Sequence, residues 1–180
     1  MKTWIALLRG INVGGRNSLP MKNLSQILGS AGCEQVKTYI QSGNVVFKGE
    51  VKSVARFSEE IGREIEKEHG FCPTVQLIGA DELGQAIVSN PYPQATGEPQ
   101  TLHLFFLECP PQEDRVSAAQ ALLSETESFT VLGHLLYLHA PDGIGRSKFA
   151  GGIERVLRVT MTGRNWRTIG KLGELASSIE

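Results

Sequence analysis

Asn90-Pro91-Tyr92-Pro93 and the polar residues that follow to Gln100 interrupt an otherwise regular chain, and the same order of structural signals runs on either side. A chain of 180 residues so divided reads as two halves of similar build: residues 1–90, a linker at 91–100, and residues 101–180. Upstream, residues 3–9 are a continuous apolar run, too short for a helix and followed by Gly10, which reads as a buried strand. Met21, Leu24, Leu28 and Ala31 recur at three and four after Pro20 and stop at Gly32, the pattern of an amphipathic helix with Pro in its first turn. Residues 36–41 and 45–48 flank Ser42-Gly43-Asn44 as a hairpin. Ser53 is placed to cap a helix carrying Val54, Phe57, Ile61 and Ile65 on one face, and residues 73–78 form a further strand before a helix at 81–88.

Downstream the order returns. Residues 101–108 read as a strand, 112–123 as a helix, 129–132 and 135–139 as a hairpin around Gly133-His134, and 147–157 as a helix with Phe149, Ile153 and Val156 on one side. A three-residue strand at 159–161 and a closing helix at 165–179 complete it. Each half is thus βαββαβ plus a helix, although the halves share no visible residue identity. The expected fold class is α+β, with two ferredoxin-like halves whose antiparallel sheets are backed by helices. With the first and third strands of such a sheet taken as parallel neighbours, the loops after them (10–19, 140–146) leave at one end. The hairpin turn and the loop after the fourth strand (162–165) then leave at the other. On that expectation the last two loops of the second half lie at opposite ends, and a site combining them needs residues from across the junction, where clefts form.

The composition, 41% hydrophobic and 21% charged, is that of an ordinary globular protein. The apolar residues 4–8 are too few to span a bilayer or form a signal-peptide core, so a cytoplasmic chain with no membrane partner is expected. Cys33, Cys72 and Cys109 are odd in number and contain no Cys-x-x-Cys pair, so neither a disulfide framework nor a zinc knuckle is suggested. The net charge of −1 hides an asymmetry: residues 1–48 carry six Lys/Arg against one acid, residues 49–140 five against fourteen, and residues 141–180 seven against four. Two basic ends that met in the fold would attract an anion, since local arrangement governs such attraction more than net charge does; solvated acidic helix faces in the middle explain the same numbers without any ligand.

Gly10-Ile11-Asn12-Val13-Gly14-Gly15-Arg16-Asn17 follows a strand and nearly matches a phosphate-cradling loop. Arg16 stands in place of the lysine, Asn17 in place of the Mg²⁺-binding hydroxyl, and the helix is delayed to Pro20, so a nucleoside-triphosphatase is not indicated. What survives is an anion site, with Gly14 and Gly15 allowing close backbone approach and Arg9 and Arg16 as charged donors. A structured connector whose glycines meet backbone needs accounts for the same residues. Pro141-Asp142-Gly143-Ile144-Gly145-Arg146-Ser147-Lys148 reads either as a second anion loop, with Arg146 and Lys148 at a helix start, or as a plain turn. Arg164-Asn165-Trp166-Arg167 sets two guanidinium groups around an indole suited to stacking a base, although Trp166 is also in phase with the core positions Ile169, Leu172 and Leu175. His69, His103, His134 and His139 lack metal-ligand spacing, Ser42 lacks a nucleophile elbow, and the glutamates from Glu59 to Glu68 read as a solvated face. No metal site, cofactor or catalytic residue is indicated.

Three passages carry a family likeness: residues 4–15, ending Arg9-Gly10-Ile11-Asn12-Val13-Gly14-Gly15, with Pro20-Met21 following; Thr38-Tyr39-Ile40-Gln41-Ser42-Gly43-Asn44-Val45-Val46-Phe47; and residues 136–149, with Arg164-Asn165-Trp166-Arg167-Thr168 near the end. The chain resembles the bacterial domain of unknown function 1697, over essentially its whole length. Gly163 departs from the pattern, where another small or polar residue is expected. The resemblance implies a cytosolic bacterial protein with two ferredoxin-like subdomains and no established activity, so no catalytic residues carry over from it.

The leading expectation is a binding module for a phosphate-bearing ligand, a nucleotide or a nucleic acid segment, seated between the halves. Arg9, Arg16, Arg146, Lys148, Arg164 and Arg167 would contact the anion, Gly14 and Gly15 would admit it, and Asn12, Asn17 and Asn165 would orient it. The rivals are an enzyme acting on a small phosphorylated metabolite, with His139 or Asp142 as proton carrier, and a protein-interaction module.

Overall fold

The computed structural model describes residues 1–179 and builds two four-stranded antiparallel sheets with helices packed on them, an α+β fold in two halves. In the first half β1 (Lys2–Arg9) leads through α1 (Met21–Ser30) to the hairpin β2 (Glu34–Tyr39) and β3 (Asn44–Gly49). Then α2 (Val54–His69), β4 (Thr74–Gly79) and α3 (Ala80–Val88) follow. The sheet order is β2-β3-β1-β4, and β5 (Leu102–Leu107), β6 (Ser128–Leu132), β7 (Leu135–His139) and β8 (Met161–Asn165) repeat it as β6-β7-β5-β8. Their helices are α4 (Glu113–Ala119), α5 (Lys148–Leu157) and α6 (Trp166–Ser177). Among the described residues no helix is long and apolar enough to cross a membrane.

The alternation of side chains along the strands explains the cores. Ala6 and Leu8 of β1, Val45 and Phe47 of β3, and Val75 and Leu77 of β4 pair across the sheet and share one face, which α1 and α2 cover with Leu24, Leu28, Ile61 and Ile65. In the second half Leu136, Leu138, Leu107 and Met161 form the equivalent face beneath Ala119, Phe149, Ile153 and Leu157. Ile5, Leu7, Val46 and Ile78, and likewise Leu102, Leu104 and Tyr137, lie on the opposite faces and are buried too. Burial on both faces is why β1 and β5 read as unbroken apolar runs rather than as alternating ones. Ser53 caps α2 by accepting from the Arg56 amide, as its position predicts.

The strand directions correct one expectation. β1 and β3 are neighbours but run antiparallel, with Lys2 opposite Gly49 and Leu7 opposite Asn44. β2 is the strand parallel to β1, and β3 slots between them. The loop 10–19 therefore leaves the first sheet at the same end as the 40–43 turn, not at the opposite end. A second correction concerns residues 162–165, expected as a loop after a strand at 159–161. They are β8 itself, registered from Leu107 opposite Met161 to His103 opposite Asn165. The strand was hidden because Gly163 faces Phe105, whose ring fills the space of the missing side chain: a Cβ at Gly163 would sit 2.5 Å from Phe105 Cε1.

Compactness divides the chain into Met1–Gln85 together with the segment from Lys171 onward, and Ala86–Gly170. This differs from a division at 91–100. The 91–100 stretch belongs to the second unit, where Pro93–Gly97 form a 3-10 turn and the Tyr92 hydroxyl lies 2.9 Å from Thr130 Oγ1. The end of α6 belongs to the first unit, where Lys37 Nζ donates to Ser178 Oγ at 3.0 Å.

Candidate functional site

The loop 10–19 in the first unit is held by its own asparagines. Asn12, in left-handed backbone at φ 52°, accepts from the Leu19 amide at 2.8 Å and donates to the carbonyls of Leu19 at 2.9 Å and Gln41 at 2.7 Å. Asn17, also left-handed, donates to the Gly10 carbonyl at 2.8 Å. Between them Val13 and Arg16 bridge as a minimal hairpin turning on Gly14 and Gly15, whose φ values of 58° and 73° suit a two-residue turn. The Asn12 and Arg16 amides are spent on Asn17 and Val13 carbonyls, so the loop does not present them as a phosphate-cradling loop does. Asn12 and Asn17 are frame, whereas Arg9, Gly14, Gly15 and Arg16 are exposed.

In the second unit the antiparallel register brings together two elements that sequence reasoning separated. His139 at the end of β7 lies opposite Leu102 at the start of β5, and Asn165 at the end of β8 lies opposite the adjacent His103. The loop 140–146, the start of α5 and the start of α6 therefore all leave from one end of this sheet. Gly143, at φ 90°, turns the chain back so that its amide donates to the Ala140 carbonyl, and Ile144–Arg146 form a 3-10 turn. Ser147 Oγ then caps α5 by accepting from the Ala150 amide at 2.9 Å. Asn165 Oδ1 does the same for α6, accepting from the Thr168 amide at 2.9 Å. Arg146, Lys148 and Arg167 are exposed at this end, and both helix starts add partial positive charge. Asp142, the one carboxylate in the loop, accepts from Thr126 Oγ1 at 2.6 Å.

Arg164 is different. It shares the face of Leu104, its partner across the β5–β8 pair, and its guanidinium donates to the Gly163 carbonyl at 2.8 Å. Burial lowers its pKa to about 10, which still leaves it cationic at neutral pH, but it is drawn into the protein while Arg167 faces water. Trp166 is half-buried, with its ring centroid 6.5 Å from that of Tyr137, whose hydroxyl donates to the Ala86 carbonyl at 2.7 Å. The indole thus serves as an anchor on the sheet.

Its place in a strand gives His103 a half-buried structural role, and the structure buries it further. It is 7% exposed, and burial pushes its pKa down to about 4, against a backbone hydrogen bond to Thr101 that acts the other way. Its Nδ1 is buried without a partner. Nothing in the residues of β5 signals the depth of this burial, because a run of apolar neighbours on both sides does not say which faces are covered. Among the described residues no group of His, Cys, Asp or Glu is arranged to hold a metal ion.

The family model described as a protein of unknown function, DUF1697, matches residues 1–137. The structure of the conserved bacterial protein SP0830 from Streptococcus pneumoniae is similar in fold, with a TM-score of 0.70 at 21% identity, over 97% of this chain and 98% of that one. No curated protein matches the chain.

Proposed function

The chain belongs to the DUF1697 family, whose description assigns no activity, and from the chain's own residues we propose that it binds a phosphate-bearing ligand, a nucleotide or a nucleic acid segment, at one end of its second sheet. The observation that carries this is the shared end: the loop with Arg146, the start of α5 with Lys148 and the start of α6 with Arg167 leave the sheet together. Exposed cations beside two helix starts favour an anionic ligand such as a phosphate over a neutral or cationic one. Arg164 supports the field from within, and Asn165 fixes the helix start that carries Arg167. The proposed site does not draw on the exposed Arg9 and Arg16, which belong to the first unit. The sheet orders support reading both halves as ferredoxin-like. The three free cysteines support a cytoplasmic setting, where thiols stay reduced, and the fold of a bacterial protein supports a bacterial origin.

Fluorescence anisotropy with a labelled twelve-nucleotide single strand and with labelled nucleotides, across salt concentrations, tests the reading. Three contacts to a single strand predict a log–log salt slope of about −2. Replacing Arg146, Lys148 and Arg167 by Ala together should abolish binding with the circular dichroism spectrum unchanged. Absence of any salt-sensitive binding overturns the proposal.

A further inference from the structure

We propose that the end of the first sheet formed by residues 10–19 and 40–43 is a docking surface for an acidic segment of another protein that carries aliphatic side chains. The two loops form one rigid frame. Asn12 ties them through its 2.7 Å bond to the Gln41 carbonyl, and Asn44, fully buried, donates to the Tyr39 carbonyl and Ser42 Oγ from below. Gly43 seals the base, since a Cβ there would lie 2.7 Å from Leu8 Cβ and 2.8 Å from Ile11 Cδ1.

Two aliphatic side chains stand on this frame without contributing to it. Val13 is 67% exposed and Ile40 53% exposed, next to the residues joined by the Asn12–Gln41 bond. Ile40 also sits at φ 49°, in left-handed backbone that a β-branched residue rarely enters. Glycine or asparagine would make the same turn with less strain and no apolar exposure, so the fold of this unit gives no reason for isoleucine there. A strained, rigidly presented and exposed aliphatic pair is explained by a contact outside the unit. Charge selects the partner. Arg16 is exposed beside Val13, and exposed Arg9 ends β1 on this side of the sheet, away from Lys2, Lys48 and Glu34 at its other end. An acidic segment with leucine-like side chains satisfies both features, whereas an oligonucleotide would leave Val13 and Ile40 in water.

The test uses the full chain and a fluorescein-labelled twelve-residue peptide in which leucine alternates with glutamate. Its controls replace glutamate by lysine or leucine by serine. The acidic aliphatic peptide should bind at least about tenfold tighter than either control. Ile40→Asn should melt at an equal or higher temperature yet bind at least about tenfold more weakly, and Arg16→Glu should lose binding. Equal binding to all three peptides, no binding to any, or unchanged affinity in Ile40→Asn overturns the proposal. An oligonucleotide that displaces the peptide from wild type and binds Ile40→Asn equally well would assign the surface to nucleic acid and overturn it too.

Discussion

Mild acid should destabilise the second unit through one side chain. Burial holds the pKa of folded His103 down to about 4, whereas in the unfolded chain it returns to its ordinary value of 6.5. Below that value the unfolded chain holds the extra proton and the folded chain does not, so stability falls as pH falls, and the loss is complete once the folded pKa is passed. At 1.36 kcal/mol per pKa unit, the loss is about 2 kcal/mol by pH 5 and about 3 kcal/mol by pH 4, with no contribution above about pH 7. His103→Leu removes the titration and also the unpartnered Nδ1, so it should match or exceed wild-type stability at neutral pH. Urea unfolding followed by circular dichroism at intervals from about pH 7.5 to pH 4.5 measures both proteins, and the carboxylates common to both cancel in the difference. The variant should gain about 2 kcal/mol on wild type between neutral pH and about pH 5. Parallel stability curves would refute the reasoning and place His103 in contact with solvent.

Other substitutions test the packing. Gly163→Ala forces a methyl against Phe105 and should cost about 1–3 kcal/mol, with Phe105→Leu in the same chain recovering part of the loss in a urea double-mutant cycle. Asn12→Ala strips three hydrogen bonds from the 10–19 loop and should lower stability by about 2 kcal/mol, with faster amide exchange at Leu19. Tyr137→Phe leaves the Ala86 carbonyl without its donor and should cost about 1 kcal/mol, read from the thermal midpoint.

Much of the fold was legible because single elements carried their own signals. Met21, Leu24 and Leu28 repeat at helical spacing and are all buried, and the cap at Ser53 and the helix stop at Gly70 lie where their residue types require. Strand direction was not legible in the same way. Element order names β1, β2 and β3, but whether the α1 crossover returns the chain beside β1 or one strand away is decided by the room that the β2–β3 hairpin takes between them. That one geometric fact brings 140–146 and 165–167 to a common end. β8 escaped notice because its apolar contact comes from Phe105 on the neighbouring strand, while its own residues at 162–165 are polar or glycine. Of the candidate site residues, the exposed cations were legible as charges. The roles of Asn12, Asn17 and Asn165 were not, since ligand contact and backbone capping call for the same amide side chain.

The anion site proposed at the end of the second sheet is tested most directly by ¹H–¹⁵N spectra of the full chain titrated with an unlabelled twelve-nucleotide single strand. The amides of Gly145, Arg146, Lys148 and Arg167 should shift together along one saturation curve that weakens with salt. Shifts confined to one of the two segments, or saturating at unrelated concentrations, would contradict it.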